Sequence, residues 1–385
     1  MNAHSAAEYV LTNARVVLSD QELLGTVLVR DGKIAAISED QSSVPGAEDL
    51  DGDYLMPGLI ELHTDNLEKH AQPRPKVTWP TTSALLAHDA QIISSGITTV
   101  LDAIAVCGTL SDDIRDHIVR ESAEAITKFR AEGLLRADHH LHMRCEVAHP
   151  RAVELYAPFN DHPLVRLVSL MDHTPGQRQF VDVAKLKIYY QGKHGMSDAE
   201  IDKMMDDRRD AQVVYADKHR KALVAMAAAK GHVLASHDDA TLEHVQESHD
   251  LGLTVSEFPT TLEAAKASHT SGLRTIMGGP NVVRGGSHSG NVSAGELAEA
   301  GVLDALSSDY VPSSLLHGAF ILHDGHGLSL PGAIATVSKN PAEMGRFDDR
   351  GEIAVGKRAD LIRVKLLADG VPVVRRVWRE GERVV

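Results

Sequence analysis

The chain has 385 residues, 43% of them hydrophobic and 24% charged, which is long enough for two domains or for one large α/β barrel with an appendage. A net charge of −15 argues against a nucleic-acid binder, which needs a basic face. Two cysteines without a CxxC pair exclude a disulfide scaffold and fit a reducing cytoplasm; no signal-peptide pattern opens the chain, and no apolar run approaches a membrane span.

Residues 8 to 37 read as short strands, "YVLTNARVVL" and "GTVLVRDGKIAAI", with Asp31-Gly32 as the hairpin signal. The C-terminal strings "ADLIRVKLL" and "PVVRRVWREGERVV" answer them, so residues 1–56 and 341–385 are expected to join as a small β sandwich. Between them, at 57–340, apolar runs alternate with helical segments. The runs are 57–63, 96–105, 136–146, 164–173, 231–237, 253–258, 274–279 and 303–309. Eight such units predict a (β/α)8 barrel of the TIM type. Residues 174–215 are long and polar for one connection and are expected to be an insertion over the barrel's top face.

In such a barrel the site lies where strands end at the C-terminal face. The residues there are His63 and Asp65, Asp102, Glu146, Asp172-His173, His237-Asp238-Asp239, Glu257 and Asp309. Alternate residues of a strand share a face, so His63 and Asp65 can both point inward. Imidazole with carboxylate suits Zn²⁺ first, then Mn²⁺ or Fe²⁺. A lone His-x-Asp also describes a polar strand end that caps the next helix; recurrence at several strand ends favours metal. In "HHLH", at most one or two of His139, His140 and His142 can reach the centre, and Asp102 could simply satisfy backbone donors.

Three loops that follow strands lack acids in this acidic chain. They are 69–88 with Lys69, Arg74 and Lys76; 174–181 with Arg178; and 264–295, where "GGPNVVRGGSHSGN" carries Asn281, Arg284, His288, Ser289 and Asn291. Gly-Gly pairs permit close backbone approach, and arginine forks bind phosphate bidentately. Each loop alone also reads as a flexible turn; three together suggest a polyanionic ligand. No GxxxxGK[ST] or GxSxG string occurs, so neither a Walker loop nor a serine nucleophile is expected.

"MPGLIELHTD", "GEIAVGKRADLIRV" and the split terminal sheet resemble the amidohydrolase superfamily of metal-dependent barrel hydrolases. "ELHTDNLEKH", "PRPKVTWP", "LVSLMDHTPGQRQF", "ASHDDAT", "EFPTT", "GGPNVVRGGSHSGNV" and "LSSDY" resemble its phosphonate-utilisation diphosphatases, over about residues 8 to 385. The resemblance implies one or two divalent ions held by His63, Asp65, Glu146, His173, His237 and Asp309, with Glu146 as a bridging carboxylate and Asp309 as general base. It implies a phosphorylated ribose methylphosphonate as substrate, cleaved to a 5-phosphate and diphosphate by water attack at the α phosphorus. Lys69, Arg74, Lys76, Arg178, Asn281, Arg284, His288, Ser289 and Asn291 would hold the phosphates. A homo-oligomer in contact with other phosphonate-pathway proteins is expected. The chain departs from the common superfamily pattern: it has His63-x-Asp65 rather than His-x-His, and its fourth and sixth strands end in His173 and Glu257. A cyclic-amide or deaminating hydrolase, and a catalytically silent subunit of a phosphonate-processing assembly, are the other readings of the same barrel.

Overall fold

The computed structural model describes residues 8–74, 77–107, 112–176, 178, 187, 191, 196–287 and 290–385. Lys76, His288 and Ser289 therefore lie outside the described residues.

Strands β1 (Tyr9–Val17), β2 (Glu22–Arg30), β3 (Lys33–Ser38), β4 (Glu48–Asp49) and β5 (Tyr54–Pro57) come from the N-terminal part of the chain. The barrel strands are β6 (Leu59–Thr64), β7 (Ile97–Ala105), β8 (Asp138–Glu146), β9 (Val165–Met171), β10 (Val233–His237), β11 (Val255–Glu257), β12 (Arg274–Gly278) and β13 (Ala305–Ser307). Strands β14 (Leu361–Leu366), β15 (Pro372–Arg379) and β16 (Glu382–Arg383) follow.

Strands β6 to β13 pair in chain order, all parallel, and all eight expected runs supply one. The ring closes where Thr64 bridges Asp309, through Asp65 N–H to the Asp309 carbonyl (2.8 Å) and Asp309 N–H to the His63 carbonyl (3.1 Å). This is the (β/α)8 barrel. Its strands read as apolar runs because both faces are covered: every residue of β6 and β7 is buried. Ile60, Leu62, Leu101, Leu167, Val233, Val255 and Ile276 fill the barrel together with Ala342, Met344 and Phe347, so the segment after the last barrel helices packs as its floor.

The register of β6 on β7 slips between Glu61 and Thr64. The bulge frees the His63 N–H, and the buried Glu61 carboxylate takes it (2.7 Å) along with the Ser308 N–H (2.6 Å). Burial pushes the Glu61 carboxyl up to about 7.

The termini form one sheet of order β16-β15-β14-β5-β1-β2-β3, with β4 beside β1. It rolls over a single core of Leu11, Val27, Ile34, Leu55, Leu361 and Trp378, so the expected sandwich is built from one continuous sheet whose ends meet. At the meeting point Asp31 (φ 52°) and Gly32 (φ 74°) make the predicted hairpin turn. A side chain on Gly32 would lie 2.8 Å from the Glu380 carbonyl oxygen, so only glycine fits. The described end of the expected insertion, from Asp198, is the front half of one helix, Asp198–Ala229, which Ser197 and Glu200 start with a capping box.

Candidate metal centre

β6 delivers His63, buried, with Asp65 just beyond the strand end. β9 leads to His173, β10 ends in His237, β11 in Glu257, and Asp309 follows β13. Three imidazoles share one arrangement. His63 Nδ1 donates to Glu257 Oε1 (3.1 Å), His237 Nδ1 to Glu257 Oε2 (3.2 Å), and His173 Nδ1 to Glu146 Oε2 (2.6 Å). A carboxylate behind each ring fixes its orientation and its tautomer, and leaves Nε2 with its lone pair outward.

Those Nε2 atoms face carboxylates at distances too long for hydrogen bonds. His63 Nε2 lies 3.7 Å from Asp65 Oδ1; His237 and His173 Nε2 lie 3.5 and 3.8 Å from Asp238 Oδ2. Asp238 Oδ2 is buried and accepts no hydrogen bond. Two sets of donor atoms result, His63–Asp65–Asp309 and His173–His237–Asp238, each within 4.8 Å. Nitrogen and carboxylate donors spaced around a gap suit Zn²⁺, Mn²⁺ or Fe²⁺, so the residues fit a divalent ion.

The electrostatics agree. Burial alone would lower the His63 pKa, but the Glu257 carboxylate raises it, to about 10 overall, so a cation bound at Nε2 would take the place of a proton there. Burial, then the neighbouring Asp65 carboxylate, hold the Asp309 carboxyl above its usual range. Phe258 walls the site, its ring 5.0 Å from that of His63 and 5.4 Å from that of His237.

Several expectations change. Glu146 sits behind His173 and not between two ions, because the His173 ring and N–H (2.9 Å) occupy its two oxygens. Glu257 and Asp238 were absent from the expected ligand set; Glu257 holds two of the imidazoles from behind, and Asp238 joins His173 and His237 in one donor group. The signal for Asp238 is its left-handed backbone (φ 56°), which breaks the alternation that would have sent it away from His237. His142 reaches the centre beside His63 and Glu257, but both its nitrogens are engaged, by the Leu62 carbonyl (3.0 Å) and Ser169 Oγ (2.8 Å). Burial drives its pKa down to about 3. Asp102 and His139 turn away from the centre towards the helix Thr81–Ser94.

The basic residues divide. Lys69 donates to the Tyr310 carbonyl (2.8 Å), next to Asp309. Arg74 and Arg284 are exposed on the loops after β6 and β12, Asn291 is half-buried, and Asn281 accepts from the Ala294 N–H (3.0 Å). Arg178 is buried instead: it pairs with Asp239 and with Glu247 (3.5 Å) and donates to the His237 carbonyl (3.1 Å). Its neighbours in sequence lack acids, but its neighbours in space do not.

A model of the amidohydrolase family matches residues 212–385. The α-D-ribose 1-methylphosphonate 5-triphosphate diphosphatase of Escherichia coli strain K12 is 46% identical over 377 residues, which cover 97% of this chain and 100% of that one. Among solved structures, the N-acetylglucosamine-6-phosphate deacetylase from Pasteurella multocida superposes with a TM-score of 0.65 at 15% identity, over 98% of this chain and 99% of that one. The 5-methylcytosine deaminase from Klebsiella pneumoniae gives 0.67 at 16%, over 98% and 97%. At such identities the structures share the fold alone.

Proposed function

The chain belongs to the amidohydrolase family, in the branch of the Escherichia coli diphosphatase, and from that membership we propose that it hydrolyses α-D-ribose 1-methylphosphonate 5-triphosphate to the 5-phosphate and diphosphate. The observation that carries the chemistry is the set of outward Nε2 atoms of His63, His173 and His237, each ring anchored by a carboxylate at Nδ1. His63, Asp65, His173, His237, Asp238 and Asp309 would hold one or two divalent ions, Zn²⁺ first. A bound ion supplies acidified water and polarises a phosphoryl oxygen.

The chain's own groups do the rest. Asp309, with its raised carboxyl pKa, takes the proton of the attacking water. The new bond joins that oxygen to the α phosphorus, and the bond from α phosphorus to the bridging oxygen breaks. Diphosphate departs with the electron pair. Glu257 and Glu146 keep the imidazoles in register, and Phe258 keeps bulk water off one side. Lys69, Arg74 and Arg284 are suited to the departing diphosphate, where negative charge builds up. Arg178 supports His237 from below. Among the described residues no helix is long and apolar enough to cross a membrane; the substrate and the two buried thiols fit a cytoplasmic enzyme.

Turnover of the triphosphate in ¹⁸O-water tests the reading. Label is expected in the ribose 5-phosphate product. Label in diphosphate would place the attack at the β phosphorus, and no diphosphate release would remove the assignment.

A further inference from the structure

Inside the barrel one cation remains without a role. Leu141, Met143 and Cys145 of β8 pack against the helices, so His140, His142, Arg144 and Glu146 line the inner face. His142 is tied to Leu62 and Ser169, and Glu146 to His173. Arg144 is left.

The eight barrel strands carry three arginines and no lysine: Arg144, Arg166 and Arg274. Arg166 and Arg274 stand at the starts of β9 and β12, on the opposite face of the barrel. Arg144 alone stands near a strand's C-terminal end. Its Nη1 pairs with Asp65, and Asp65, Glu68, Asp309 and Glu257 all act on its charge. The side chain is 15% exposed, and its Nε is buried with no hydrogen bond. A guanidinium offers five donors in a rigid fork, and the ion pair with Asp65 uses only one edge.

We propose that Arg144 binds the phosphoryl group under attack, through the edge of its guanidinium that Asp65 leaves unused. The inference rests on the diphosphatase reading given above. A cation fixed among metal ligands is repelled by any ion they hold. It is retained there to advantage when an anion comes between the two, as a phosphoryl oxygen does. Charge on the non-bridging oxygens is then met from one side by the ion and from the other by a donor that needs no reorganisation. Lys69, on the helix Asn66–Ala71, and the loop residues Arg74 and Arg284 hold the leaving diphosphate; Arg144 serves the reacting centre. Asp65 orients it, which gives that carboxylate a second task beside its place in the donor set.

The test uses metal-loaded wild type, Arg144→Met and Arg144→Lys. Four quantities are measured: metal per chain, thermal melting, kcat and KM for the triphosphate, and affinity for inorganic phosphate. Arg144→Met is expected to keep its metal and its fold. It should lose on the order of 10²–10³-fold in kcat with little change in KM, and bind inorganic phosphate at least about tenfold more weakly. Arg144→Lys should recover part of kcat, since it keeps the charge and loses the fork. Retained kcat in Arg144→Met, or metal lost from both variants, would overturn the inference and leave Arg144 as a counter-ion of Asp65. Wild type that releases no diphosphate would instead bring down the reading it rests on; the phosphate-affinity arm still decides the role of Arg144.

Discussion

The barrel wall carries histidine–carboxylate clusters on both its faces, and they differ in which imidazole nitrogens remain free of hydrogen bonds. Outside, between β7, β8 and the helix Thr81–Ser94, His88, Asp102 and His139 lie as close together as the inner groups, and are more deeply buried. There every imidazole nitrogen has a partner. His88 Nε2 donates to Asp102 (2.7 Å), and its Nδ1 accepts from Asn66 (2.9 Å). His139 donates from Nδ1 to Asp102 (2.8 Å) and from Nε2 to Asp89 (3.3 Å). Inside, one nitrogen of each key ring is used and the other is kept. Residue types and proximity are the same; what differs is which lone pair survives the hydrogen-bonding.

Breaking the comparison from the inside has the largest expected effect. His63→Ala or His237→Ala should strip bound metal and lower kcat/KM by on the order of 10³-fold or more. His139→Ala should leave the metal stoichiometry untouched; elemental analysis of the three purified variants checks both halves. On the outside, Asp102→Ala leaves a charged, buried His139 with one partner fewer. It should cost about 3–5 kcal/mol in denaturant unfolding with full metal content; metal loss there would mean the two clusters are not independent. A finer cut is Glu257→Gln, which keeps the shape but weakens its hold on two imidazoles. Chelator competition should show metal affinity reduced roughly 10–100-fold, and an unchanged affinity would remove Glu257 from its orienting role.

The smallest effect is a pH dependence. Burial alone would lower the His139 pKa, but Asp102 and then Asp89 raise it, to about 9 overall. A raised histidine pKa gives stability that is complete below the unfolded value of about 6.5 and fades as pH climbs through about 9. Melting temperature should therefore fall across that window in the wild type. In Asp102→Asn the slope should flatten; a slope of equal steepness would assign the titration elsewhere.

Much of this was legible in the chain. Parallel strands buried on both faces leave apolar runs between helical segments, so the eight strands could be read directly. His63, Asp65, His173, His237 and Asp309 stood at their ends. Asp238 was read at a strand end but left out of the expected ligand set, and Arg144 was not singled out at all, for two reasons. A left-handed residue after a strand end redirects a side chain that alternation sends elsewhere. An arginine within "HHLHMRCE" looks like any strand cation until the inner face is known. The misread Arg178 makes the converse point: its partners Asp239 and Glu247 lie more than sixty residues away in sequence, beyond any local window.

The rolled terminal sheet carries a consequence in time. β5, which leads straight into the metal-site strand β6, lies between β1 and β14, and Arg363 grips Asp53 across a separation of 310 residues. During synthesis β5 waits with one open edge until nearly the whole chain has been made. Contacts of such long range are slow to form, and an unpaired edge invites other chains meanwhile. The strand that leads into the barrel is thus among the last to be secured, and premature termination ahead of β14 should yield aggregates rather than a smaller working enzyme.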